Sequence, residues 1–354
     1  MGRAKSHTKP RMNRLALVPV PLGRYPTPVE RLDGFSTAAR ELWVKRDDLT
    51  HETCGGSKVR KIEWLLADAR SRGADRVVTI GAAGSHHVLT TTYFGKLQGL
   101  EVEAVLVPQP RSDHVVEVLR ASIGLGLRAI PVRSWSRGAL VFALRMATAG
   151  AHTRFIPVGG SSVTGSMGYV LAARELAAQV RAGVMPEPDL CIVALGSGGT
   201  AAGLAAGFAA ERLKTLVVGV CVSKPAWALR LHAKLLARAC ASRTVERPRH
   251  VRLVADGRFL GAGYGHRTPE GDEATRLAES AGILLDPTYT AKAFAASLAY
   301  LVRAPSAKRI ILYWHTLGNY SGNSGNFGDH ARARGDKAGP ERDSLGRLLL
   351  PTSS

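Results

Sequence analysis

Several shortages narrow the field before any motif is read. Cysteine is scarce: Cys54, Cys191, Cys221 and Cys240 are the whole complement, with no CxxC pair and no metal-ligand spacing. That excludes a disulfide scaffold and a zinc module, and no metal is expected. Cys191 and Cys221 lie in apolar, strand-like runs and read as buried thiols. No apolar run reaches the roughly 18 residues of a membrane span. The first residues lack the apolar stretch of a signal peptide, so a cytoplasmic protein is expected. Acidic residues are also few, 28 against 48 lysines and arginines, for a formal net charge of +20. Such an excess favours anionic partners. Its distribution argues against nucleic acid, because no aromatic residues are interleaved with the basic runs, as a single-strand groove would require. The runs themselves lie in residues 1–14 and from Arg230 to Arg252.

What remains is rich in Ala, Gly, Val and Leu, with 45% apolar residues over 354 positions. That suits an α/β protein with an ample core. Residues 1–14 read as a disordered basic arm and 15–30 as extended and proline-rich. A strand over 41–46 ends in the turn Asp47-Asp48, and a helix spans 58–72. Strands over 76–80, 102–107, 128–132 and 153–158 then alternate with helices to 97, over 111–124 and over 134–149. This βαβ series predicts a parallel sheet with helices on both faces. Gly159-Gly160-Ser161-Ser162 reads as a crossing point between domains. A second series follows: helix 164–181, strand 189–195, helix 201–214, strand 216–223, a helix to 241, helices over 271–282 and 290–302, and strand 309–314. Beyond Gly325 the composition turns polar and charged, as in a flexible tail.

Two glycine-rich segments carry the chemistry. In Cys54-Gly55-Gly56-Ser57-Lys58-Val59-Arg60-Lys61 a lysine follows a double glycine at a helix start. Exposed N–H groups and the positive end of the helix dipole both disfavour its charge. A neutral lysine can form a Schiff base with an aldehyde. The competing reading is an ordinary solvated lysine. Far downstream, a strand runs into Gly196-Ser197-Gly198-Gly199-Thr200 and then a helix. Backbone N–H groups and the dipole make that turn an anion site. A dinucleotide site is the rival, but the next strand ends in Val222-Ser223-Lys224 without the acid that would hold a ribose. A single phosphate fits better. Ser85, at another strand-to-helix turn, is a further anion position.

With these segments in hand, the chain resembles the fold-type II pyridoxal-phosphate enzymes, the tryptophan synthase β superfamily. Within it the likeness is to the D-cysteine desulfhydrase and 1-aminocyclopropane-1-carboxylate deaminase branch. The resemblance runs from Tyr25 to Asn319. It rests on Val44-Lys45-Arg46-Asp47-Asp48-Leu49-Thr50, the Lys58 and Gly196–Thr200 segments, and Asp286-Pro287-Thr288-Tyr289-Thr290. It implies two doubly wound, mostly parallel-sheet α/β domains with pyridoxal 5'-phosphate in the cleft between them. The large cofactor-binding domain would comprise 15–66 and 161–325, the small one 67–160, with a tail over 326–354. It implies a homodimer.

The resemblance also assigns roles. Lys58 carries the cofactor and moves the Cα proton, and Gly196, Ser197, Gly198, Gly199 and Thr200 hold its phosphate. Ser85 receives the substrate carboxylate, and Tyr264 and Tyr289 line the pocket. Thr290 stands where a partner of the pyridine nitrogen is placed, and Thr316 is a second hydroxyl near the ring. The ring-opening deaminases have a glutamate at the Thr290 position, whereas desulfhydrases have a hydroxyl. The expected activity is therefore α,β-elimination from a small amino acid, releasing a 2-oxo acid and ammonia. Cyclopropane ring opening and a cofactor-binding protein with weak or lost catalysis are the alternatives. Three departures surround the ring. Ser57 replaces the usual Asn, His86 and His87 follow Ser85 in place of Asn and Gln or His, and Cys54 replaces a bulkier apolar residue. His86 takes the place of the Asn that touches the cofactor's 3′-oxygen.

Overall fold

Parallel strands covered on both faces need continuous apolar runs, and the chain supplies them in two groups. The computed structural model describes residues 17–223, 226–302, 309–321 and 349–350. The larger sheet holds β1 (Val29–Arg31), β2 (Arg40–Arg46), β8 (Leu190–Leu195), β9 (Leu216–Cys221), β10 (Leu253–Asp256) and β11 (Arg309–His315), in the order β1-β2-β11-β8-β9-β10. The smaller holds β3 (Arg76–Ala82), β4 (Glu101–Val107), β6 (Arg128–Pro131) and β7 (Thr153–Ile156), in the order β6-β4-β3-β7. Every pairing in both is parallel except β1 with β2. The basic arm over 1–14 lies outside the described residues. Of the tail only Leu349–Leu350 is described, a short strand (β12) parallel to β5 (Gln109–Pro110).

The helices fall close to their expected places: α1 (Lys58–Ser71), α2 (His86–Leu97), α3 (Asp113–Gly124), α4 (Trp135–Thr148), α5 (Val163–Arg181), α6 (Gly199–Ala210), α7 (Ala226–Ala241), α8 (Pro269–Glu279) and α9 (Thr290–Val302). The starts differ by at most two residues, and one of these shifts bears on the site. The helix expected from 201 begins at Gly199, so the last two residues of the glycine loop are already helical. Packing overrides the low helix propensity of Gly199-Thr200-Ala201-Ala202-Gly203. A Cβ on Gly203 would come 2.4 Å from Ser166 O, and one on Gly207 would come 2.5 Å from Ala173 Cβ. These glycines let α6 lie directly on α5. The short strands β1 and β10 were not legible in the sequence.

The four cysteines are free and buried. Among the described residues no helix is long and apolar enough to cross a membrane, and no group of three or more metal-ligating side chains forms.

Beneath α1 lies a buried ionic cluster. Asp47 is fully buried and accepts hydrogen bonds from Arg60 Nε (2.9 Å) and Nη2 (2.8 Å), Tyr169 Oη (2.9 Å), Trp314 Nε1 (2.8 Å) and Thr27 Oγ1 (3.0 Å). Arg60 also meets Glu175 at 3.0 Å, and Glu175 pairs with Lys45. Burial alone would raise the Asp47 pKa; the Arg60 guanidinium more than offsets it and holds the carboxyl below the usual range. The cluster thereby joins α1, α5, β2, β11 and the segment before β1. A buried pair is costly to break because the orphaned charge stays behind. Asp47→Ala should lower stability by about 3–5 kcal/mol in denaturant unfolding. Asp68→Ala, which breaks the exposed Arg72–Asp68 pair, should cost less than about 1 kcal/mol. Equal effects would mean the cluster has no special structural role.

Candidate active site

Ligands of open parallel sheets settle outside the carboxyl ends of the strands. Here β2, β3, β8 and β11 end at Asp47, Ser85, Gly196 and Thr316, or within three residues of them. The lysine loop is fastened to the first of these turns. Gly56 N donates to Asp47 O (3.1 Å) and Thr50 Oγ1 (2.9 Å), and Gly55 N donates to Asn319 Oδ1 (2.9 Å). Asp47 and Thr50 thus hold the loop that launches α1.

Lys58 is the first residue of α1 and is partly buried. Its Nζ donates to Ser57 Oγ at 3.0 Å. Burial lowers its pKa from 10.5 to about 8, against the opposing pull of the Asp286 carboxylate. About a tenth of it is therefore free amine at pH 7, far more than for an ordinary lysine.

One helical turn on, Lys61 shares that face of α1. Its buried Nζ donates to Gly159 O (3.1 Å) and Ser161 Oγ (3.4 Å). Burial, with Lys58 adding to it, pushes this amine well below its ordinary value. Ser161 in turn holds the glycine loop, with its Oγ 2.7 Å from Ser197 Oγ and accepting from Gly199 N at 3.0 Å. A Cβ on Gly199 would stand 2.6 Å from Ser161 Oγ and 2.9 Å from Lys61 Nζ. Gly198, at φ +91°, turns the chain into α6. The first N–H groups of α6 have no partners within the helix, and the Thr200 hydroxyl has none among the described residues. A phosphate fits this set: helix N–H groups, two hydroxyls and a buried amine that the anion's charge would help to protonate. The cradle and Lys58 thus lie on the same side of α1, about a turn apart.

The remaining expected residues gather around the same place. A Cβ on Gly196 would come 3.1 Å from the Tyr289 ring. Tyr289 Oη donates to Tyr264 Oη at 2.8 Å, with the rings edge to face. Asp286 caps α9, accepting from Thr288 N, Tyr289 N and Thr290 N. Thr290 is buried, and its Oγ1 donates to Asp286 Oδ2 at 2.7 Å while accepting from Asp286 N. Its hydroxyl proton is therefore committed within the cap. Ser85 caps α2 without using its hydroxyl, leaving that group and the first N–H groups of α2 for an anion. Thr316, just after β11, is partly buried.

His86 and His87 part company. His87, on α2, is buried against the small sheet, its Nε2 3.0 Å from Thr79 Oγ1 of β3. His86 rests on Gly318, whose neighbour Leu317 lies against Gly56. Lys61, Ser161 and Asp286 were not singled out from the sequence. For Lys61 the signal was its spacing of three from Lys58. For Ser161 there was none, since it reaches the cradle only through tertiary folding.

Comparison with known proteins shows the family. The family model described as pyridoxal-phosphate dependent enzyme matches residues 20–315, and the chain belongs to that family. Among solved structures it is similar to an ACC deaminase homologue, with 30% identity and a TM-score of 0.73 over 89% of this chain and 95% of that one. It also matches threonine deaminase isoform 2 from Solanum lycopersicum (14% identity, TM-score 0.61, 88% of each chain). A hydrogen sulfide-producing enzyme from Fusobacterium nucleatum matches at 15% identity and a TM-score of 0.59, over 84% of this chain and 95% of that one. These last two show the shared fold.

Two tests follow from the site. The rate at which added pyridoxal 5'-phosphate is captured should rise with pH through a midpoint near 8, where Lys58 loses its proton, and level off above it. Asp286→Asn should move that midpoint lower, since the Asp286 charge is what favours the ammonium form. A rise that continues towards 10.5 would mean an ordinary, solvated amine. Gly199→Val should abolish retention of the phosphorylated cofactor on gel filtration, and unchanged retention would place the phosphate elsewhere.

Proposed function

We propose that this member of the pyridoxal-phosphate-dependent enzymes is a lyase of the D-cysteine desulfhydrase type, acting on a small amino acid with a leaving group on Cβ. The net reaction consumes one water and yields a 2-oxo acid, ammonia and the protonated leaving group, hydrogen sulfide when the substrate is cysteine. Bound in the cradle, the cofactor supplies an aldehyde for the substrate amine and a ring that draws electrons from Cα.

The residues of the chain do the rest. The α6 amides, Ser197, Thr200 and Lys61 would hold the phosphate. Lys58, whose amine burial makes easier to deprotonate, would attach the cofactor and take the Cα proton. Ser85 and the α2 amides receive the substrate carboxylate. The Tyr264–Tyr289 pair walls the side facing Gly196. The expected division into 15–66 with 161–325 and 67–160 belongs to the same proposal. It is supported by the small sheet, whose strands all fall within 67–160. So does the expected homodimer.

The observation that carries this reading is Thr290. With its proton given to Asp286, its oxygen can only accept from a ring nitrogen. A neutral acceptor holds that proton far more weakly than a carboxylate would. A weaker electron sink suits departure of a good leaving group better than cleavage of an unactivated ring. A second reading, opening of the 1-aminocyclopropane-1-carboxylate ring, is favoured by the 30% identity to an ACC deaminase homologue.

The purified protein should be yellow when loaded with the cofactor, and Lys58→Ala should bleach it. D-cysteine should give pyruvate, sulfide and ammonia in equal amounts, whereas the cyclopropane substrate should give no 2-oxobutanoate. The reverse pattern would transfer the assignment to ring opening. Turnover of neither, with an intact colour, would leave a cofactor-binding protein without this lyase activity.

A further inference from the structure

His86 has a partner that no motif announces. It opens α2, and His114 stands at the start of α3, 28 residues later. Their Nε2 atoms are 2.9 Å apart and the rings are stacked, with centroids 4.9 Å apart and planes at 27°. Two imidazole nitrogens at that distance share one proton, so one ring donates and the other accepts. The choice fixes both tautomers, because a ring that accepts at Nε2 carries its own proton on Nδ1.

The environments decide which ring donates. His114 is exposed, so water can satisfy its Nδ1 and its Nε2–H is free to donate to His86. His86 is enclosed. Burial lowers its pKa to about 4; the neighbouring His114 and Lys58 add to the effect and the Asp286 carboxylate opposes it. His86 is therefore neutral at physiological pH, with an Nε2 lone pair available to accept from His114. Its Nδ1 lies on the other side, over Gly318, where a Cβ would come 2.8 Å from it. Gly318 packs against Gly56, two residues before Lys58. No described residue accepts a hydrogen bond from this Nδ1.

We propose that His114 is a positioning residue that holds His86 in its Nδ1–H form, presenting to the site an uncharged N–H donor for an electron-rich oxygen on the cofactor ring. The pair would then do with two imidazoles what a single side-chain amide does with its NH2 group. The recipient oxygen rests on the proposed cofactor position; the tautomer does not.

The test reads the tautomer directly. In full-length protein labelled with 15N-histidine and free of cofactor, His86 Nδ1 should be protonated at pH 7.5 in a long-range 1H–15N spectrum. His114→Phe should abolish this preference. His114→Gln, which offers an amide N–H in place of Nε2–H, should keep it. In parallel, His114→Phe should weaken binding of pyridoxal 5'-phosphate by roughly tenfold, the worth of one well-placed hydrogen bond, with His114→Gln close to wild type. A bare Nδ1 in the wild-type protein overturns the proposal without needing any variant to fold. So does an unchanged tautomer in His114→Phe. If the tautomer is as expected but no variant changes cofactor binding, the recipient oxygen is wrong. If the wild-type protein takes up no cofactor, the functional reading fails while the tautomer result stands.

Discussion

The buried Asp47–Arg60 pair is the fixed point of the molecule. Asp47 follows β2 directly, and its backbone carbonyl receives Gly56 while its side chain receives Arg60, Tyr169, Trp314 and Thr27. Arg60 lies two residues after Lys58. A carboxylate that cannot move therefore sets both the loop before the lysine and the helix after it. Such a cluster adds little net stability compared with apolar packing of the same volume, but it admits one arrangement only. Placement of an amine relative to an anion cradle is a task for which one arrangement matters more than a few kcal/mol.

The cradle is placed by different means. Small residues on α6 bring it onto α5, and Ser161 ties the glycine loop to the turn that precedes α5. Lys61 then spans from α1 to that turn. Two independent positioning systems, one ionic and one steric, meet within a turn of α1. The lowered pKa of Lys58 follows from that meeting: its surroundings are buried, and the carboxylate that opposes the shift, Asp286, is occupied in capping α9.

Much of this was legible in the residues. Gly55-Gly56 before Lys58 and the glycines from 196 to 199 mark turns that only a few structures need, and the apolar runs of β3, β4, β8 and β11 mark parallel strands. What the sequence concealed was convergence. Ser161 and Lys61 are 100 positions apart, and nothing local links His86 to His114. Thr290 was readable as a hydroxyl at the right place, but its bond to Asp286 depends on how α9 is capped. The strand β10 was hidden because Leu253, Val254 and Ala255 are too short a run to stand out beside a basic stretch, and they pair only at the edge of the sheet. The start of α6 was misplaced because glycine and threonine read as loop, whereas contact with α5 makes them helix.

The central claim is that Lys58, rather than its more deeply buried neighbour Lys61, is the amine that bonds the cofactor aldehyde. Borohydride reduction of the loaded full-length protein, followed by proteolysis and mass spectrometry, tests it most directly. The account predicts the added cofactor mass on Lys58, with Lys61 unmodified. Label on Lys61, on a surface lysine, or on none would contradict it.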